Sequence, residues 1–109
     1  MNGDTITRLE NWYRRHCNDE WENDYGVSIE STDNPGWWVK IDLDGTELEH
    51  ASFTEVTRGD GACLNPTPPW MHCYVDEKHV FNGGGDPTKL GDILDAFLQW
   101  ADSHAKASD

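Results

Sequence analysis

Basic residues are scarce in this sequence: Lys and Arg number 8 against 21 Asp and Glu in 109 residues, a formal net charge of −13. A field of that sign repels nucleic-acid phosphates and anionic membrane surfaces, so neither is expected as a partner. Long apolar runs are missing too. Nothing approaches the roughly 20 apolar residues of a membrane-spanning helix. The opening Met1-Asn2-Gly3-Asp4-Thr5 carries neither the basic nor the apolar region of a secretion signal. A cytoplasmic protein is expected. Cysteine is sparse: Cys17, Cys63 and Cys73 are odd in number and lack short paired spacing. That argues against a disulfide framework and for reduced thiols. Apolar residues make up only 36% of the chain and mean hydropathy is −0.79, which on composition alone leans toward disorder.

Six Trp, three Tyr and three Phe argue the other way, because aromatics bury a large area per residue. The length suits one domain with a thin core. Ile6, Leu9, Tyr13 and Cys17 recur at helical spacing and predict a helix over 5–17, with Trp12 beside the stripe. Residues 18–24 read as an acidic loop around Trp21. Tyr25, Val27 and Ile29 alternate in a strand over 25–32, and Asp33-Asn34-Pro35-Gly36 is a turn. In the strand over 37–43, Trp37, Val39, Ile41 and Leu43 face one way, and Trp38, Lys40 and Asp42 the other. A short strand is predicted from Phe53 to Arg58, a loop over 59–69, and a strand over 70–76 with Met71, Cys73 and Val75 inward. A short strand over 78–81 is broken by Gly83-Gly84-Gly85. Asp86 and Pro87 then open a last helix with a wide apolar stripe: Leu90, Ile93, Leu94, Phe97, Leu98 and Ala101. The tail from Ser103 is expected to fray. The expected fold class is α+β: a single domain over 1–109 with an N-terminal helix, four to five mostly antiparallel strands, and a C-terminal helix packed on the sheet.

Catalytic and metal signatures are weak. His16–Cys17, His72–Cys73 and His79 lack the C-x-x-C or H-x-x-x-H spacing that converges ligands on zinc, and no metal or cofactor is expected. No basic residue flanks Cys63 to lower its pKa. Acidic pairs are abundant, as chance dictates among so many acids. The glycine run before the last helix lacks the Lys-Ser/Thr of a phosphate-binding loop. What stands out is tryptophan among acids. Trp21 sits between Asp19, Glu20 and Glu22, and Trp38 shares a strand face with Asp42, close to Asp44 and Glu47. These eight residues are the predicted contacts with a basic protein partner, with Trp21 and Trp38 alternatively covering core edges.

Several pieces resemble the immunity protein 53 family of bacterial polymorphic toxin systems. They are Leu9-Glu10-Asn11-Trp12-Tyr13 with Cys17, then Asp19-x-Trp21-Glu22-x-x-Tyr25-Gly26 and Thr32-Asp33-Asn34-Pro35-Gly36-Trp37. Ile41-Asp42-Leu43-x-Gly45-Thr46 follows. Gly83-x-Gly85-Asp86-Pro87 leads to Leu90 and Phe97-x-x-Trp100. The resemblance implies an antidote encoded beside a toxin, binding and neutralising it by direct contact, with no catalysis and no cofactor. Two other readings remain open from the residues: a small thiol- or metal-dependent enzyme using Cys63, Cys73 or His72, and a structural or scaffolding subunit.

Overall fold

The computed structural model describes residues 2–33, 35–59 and 69–105. The chain runs α1 (Asn2–His16), α2 (Trp21–Asp24), β1 (Val27–Thr32), β2 (Gly36–Asp42), β3 (Val56–Gly59), β4 (Trp70–Val75), β5 (Val80–Gly85) and α3 (Leu90–Ala105). All five strands form one antiparallel sheet in the order β1-β2-β5-β4-β3. The α+β class and the terminal helices are as expected. No helix among the described residues is long and apolar enough to cross a membrane.

Alternation on the central strands decides which face is core. Val39 and Ile41 of β2, Phe81 of β5, and Met71 and Cys73 of β4 are buried on one side. The register sets Ile41 opposite Phe81, and Cys73 opposite Gly83. α3 lays Ile93, Leu94, Phe97, Leu98 and Ala101 on that side, and Phe97 packs against Phe81 with ring centroids 5.2 Å apart. α1 lies beside α3 and contributes Leu9 and Trp12, with the Trp12 ring edge-on to Phe97 at 5.0 Å. Polar contacts fasten the two helices: Thr5 donates to Asp95 at 2.7 Å and Arg8 pairs with Asp102 at 2.8 Å. Among the described residues, helices thus cover the sheet on one face only.

Several expectations shift. α1 spans 2–16 rather than 5–17. Its buried line is Leu9 and Trp12, while Ile6 and Tyr13, placed in the predicted stripe, are 48% and 38% exposed. The stripe therefore turns toward Trp12, whose larger ring buries more area. The segment 18–24, read as loop, contains the single turn α2. Asn18 Oδ1 accepts the N–H groups of Glu20 and Trp21, and Glu22 reaches back to the N–H groups of Asn18 and Asp19. That reciprocal bonding works like a capping box and starts the turn. β1 begins at Val27, β2 spans 36–42, and β3 begins only at Val56. Of the predicted loop over 59–69, Gly59 ends β3 and 60–68 lie outside the described residues. α3 remains helical through Ala105; the rest of the expected frayed tail, 106–109, also lies outside them.

The largest difference is β5. Gly83-Gly84-Gly85 does not break the strand but forms its second half, all three paired with β2. The reason is the closeness of α3. A side chain at Gly83 would collide with Ile93, and one at Gly85 would meet Lys89 Cβ at 2.7 Å. Glycine's weak strand propensity is outweighed by the helix it lets in. Asp86 caps the connecting turn rather than the helix itself: it accepts from the Thr88 N–H at 2.8 Å and from the Trp70 N–H at 2.9 Å, and α3 starts at Leu90.

Gly83→Ala is expected to push α3 off the sheet and to cost about 1–3 kcal/mol in urea denaturation. Gly91→Ala, in open space on α3, should stabilise by up to about 1 kcal/mol.

Candidate functional site

The acidic residues singled out in the sequence gather at one end of the molecule. β2 ends there at Asp42, β1 begins there, and the β4–β5 turn lies across from them, with Asp42 opposite Val80. The C-terminal end of α1 meets it through His16. Trp21 ties the two acidic loops together: its Nε1–H donates to the Asp44 carbonyl at 2.7 Å. Asp42 bonds the Gly26 N–H at 3.0 Å, closing the loop onto the sheet.

Glu47 lies under this end. Its carboxylate accepts from Trp12 Nε1–H at 3.1 Å and contacts His16 Nε2 at 2.7 Å, while His16 Nδ1 meets the Trp12 carbonyl at 2.8 Å. Burial pushes the Glu47 carboxyl up. Its own backbone N–H, His16 and Trp12 outweigh that and hold it below its ordinary 4.5. Asp44 contacts His79 Nδ1 at 2.8 Å. His79 sits at φ 62, as the left-handed residue that closes the Asp76–Val80 turn. Glycine or Asn is usual there. The His79 carbonyl also accepts the Leu43 N–H at 2.9 Å, so the residue is held from two sides.

The predicted contact residues therefore differ in what they have left to offer. Asp19 and Glu20 are exposed, and Asp19 stands at φ 74 on the loop tip. Glu22, Asp42, Asp44 and Glu47 spend at least part of their carboxylates on internal bonds. Trp21 is 6% exposed and belongs to the core, the alternative that the sequence had left open. Its ring is flanked instead by two half-exposed tyrosines, Tyr13 at 38% and Tyr25 at 37%, with centroids 5.9 and 6.2 Å away. Trp38 is not at this end. It lies midway along β2, half-buried on the sheet face opposite the helices.

Other chemistry is thinner. Burial pushes the Cys73 thiol up to about 11, against a small opposing pull from Arg58. A thiol so protonated is a poor nucleophile. Cys63 lies outside the described residues. His72 and Cys73 point to opposite faces, as the alternation of β4 predicts. Asp44, Glu49 and His79 bring ligand atoms within 4.8 Å of one another, a grouping that the sequence spacing did not suggest. A shallow groove of about 500 Å³ between α3 and the segment around Phe53 is lined by Arg58, Asp92, Asp95 and Trp100, without His or Cys.

These features define an acidic α+β domain with a group of acidic side chains and two half-exposed tyrosines at one pole. The chain belongs to the family described as Immunity protein 53, whose model it matches over residues 6–102. Comparison with curated proteins and with solved structures gave no match. The exposed tyrosines were missed in the sequence because Tyr13 sits in an apolar helical stripe and Tyr25 at the head of an alternating strand, both ordinary core positions.

Glu47→Ala should leave the buried Trp12 N–H unpaired and cost about 1–3 kcal/mol at pH 7. Because the folded carboxyl is held low, its interactions contribute fully above the ordinary carboxylate range and are lost as pH falls through the folded value. The gap between wild type and variant, measured by urea denaturation, should therefore narrow on acidification.

Proposed function

We propose that this protein is the antidote of a toxin–immunity pair: it binds a cognate basic toxin in the cytoplasm by direct contact and neutralises it without catalysis. The observation that carries this reading is the acidic pole. Asp19 and Glu20 project freely beside Tyr13 and Tyr25 over a loop system fixed by Trp21. Exposed tyrosines within an acidic ring suit a basic protein surface, and the net charge of −13 speeds the encounter. Because the pole is tied down by hydrogen bonds, little ordering entropy is lost on docking. The family supports the same reading, since an immunity protein implies a toxin to be immune to. Among the predicted contacts, Asp19 and Glu20 steer. Glu22, Asp42, Asp44 and Glu47 shape the pole and add to its field. Trp21 supports the tyrosines, and Trp38 extends the surface along β2.

The test is co-expression with the product of the neighbouring toxin gene, scored by co-purification and by survival of the cells. Capture with survival is the expected result; no capture and no survival would contradict the proposal. Once a complex is in hand, Asp19→Asn combined with Glu20→Lys should slow association about tenfold at low salt. Asn tolerates the positive φ at position 19. The effect should fade as salt rises, with the melting temperature nearly unchanged. Association that ignores this pair of changes would move the interface elsewhere.

A further inference from the structure

The sheet face away from the helices carries its own organisation. Along β4, Trp70, His72 and Tyr74 alternate with the buried Met71 and Cys73 and the partly buried Val75, so they point to this open side. The register places Trp38 of β2, Gly84 of β5 and His72 of β4 in one row across the sheet. A Cβ at Gly84 would stand 3.3 Å from Trp38 Cε3 and 3.6 Å from Trp70 Cζ3. The edges of both indole rings therefore flank the bare backbone of Gly84. No described helix or loop packs on them.

A second observation separates these two tryptophans from the other four. Trp12 donates its indole N–H to Glu47, Trp21 to Asp44, Trp37 to Pro87 and Trp100 to Ser52. Trp38 and Trp70 give theirs to no described residue, and no buried polar side-chain atom in the described structure is left unpaired. Both N–H groups are thus wet and available. Half-buried indoles with a spare donor are the side chains that protein interfaces employ.

We infer that the Trp38–Gly84–Trp70 platform is a docking site for an arginine side chain of a basic protein partner. Guanidinium stacks flat on indole by cation–π attraction. The free indole N–H groups then donate to main-chain carbonyls beside that arginine. Charge selects the occupant. The negative field of the whole chain repels phosphate and anionic lipid, and Glu30 stands directly across from Trp38 on β1. His72 contacts Glu55 next along the face, which adds a second carboxylate to the rim. Asp42 lies on this same face and at the acidic pole, so the platform continues the surface proposed above for the toxin. The inference rests on that toxin-binding reading for the partner, though not for the chemistry of the platform.

The test has two arms. In the first, the full chain is titrated with a blocked tri-arginine peptide while the six indole N–H signals are followed by NMR. Trp38 and Trp70 are assigned from W38F and W70F. The expected result is movement of those two signals while Trp12, Trp37 and Trp100 stay in place, with no response to tri-glycine. Still signals at Trp38 and Trp70, or movement with cellotriose or a short single-stranded DNA in place of the peptide, would overturn the inference. In the second arm, W38A/W70A should weaken the toxin complex at least tenfold, mainly through faster dissociation. The four internally bonded indole signals report whether the variant is still folded. Should either variant unfold, G84A, which presses a methyl group against both rings, is read in the same way. An unchanged affinity in a folded variant overturns the platform and leaves the antidote reading standing. A native chain that holds no toxin sinks the antidote reading, and the peptide titration still decides the platform.

Discussion

The Trp12 side chain is the joint on which the rest of the structure depends. It is 2% exposed, edge-on to Phe97 of α3 and to Trp21 of α2, and its N–H is satisfied by Glu47. One residue thus connects the helix pair to both acidic loops. An indole so deeply placed needs an acceptor, because an unpaired buried N–H costs more than the bond is worth when made. Glu47 supplies it, and His16 helps hold that carboxylate in turn. The charge gathered at this pole is therefore not merely solvated surface. Part of it is structural, and that part holds the freely projecting part in position.

A sheet covered on one face poses the second constraint. The helix side absorbs nearly all the aliphatic residues, and the glycines of β5 let α3 approach closely enough to seal it. The open side must then be polar or be used. Glu30, Lys40 and Asn82 make it polar, while Trp38, Trp70 and Tyr74 do not fit that need. Large aromatics on an uncovered face are the informative exception to the rule that apolar groups go inside. In the proposed complex, they and the tyrosines of the pole would supply adhesive spots, and the net charge a steering field. Affinity and on-rate draw on these separately.

The sequence carried the architecture well where a single period prevailed. The alternation over 37–43 and the apolar stripe of the last helix each had one reading, and both stand. Legibility failed where two requirements competed at one position. Gly83 to Gly85 look like a breaker because glycine is poor in strands, but the close return of α3 over β5 demands them there. Ile6 and Tyr13 look buried because they share a stripe with Leu9, yet Trp12 wins the core by size. α2 escaped notice because its cap, Asn18 with Glu22, lies within an acidic run that reads as loop. At the site, the choice of Trp21 or its neighbours as the exposed aromatic depends on which ring reaches Asp44, a tertiary fact with no local signal. Trp70, by contrast, was open to reading: once Met71, Cys73 and Val75 point inward, it must point out.

The proposed toxin-binding surface is continuous, from the acidic loops along β2 to the tryptophans of the open face. Hydrogen exchange of the chain, free and in complex with the product of the neighbouring toxin gene, tests this most directly. Slowed exchange confined to residues 17–26, 42–49 and the strands β2, β5 and β4 is the predicted result. Slowed exchange on α3 and the groove beside Trp100, with the pole and open face unchanged, would contradict it.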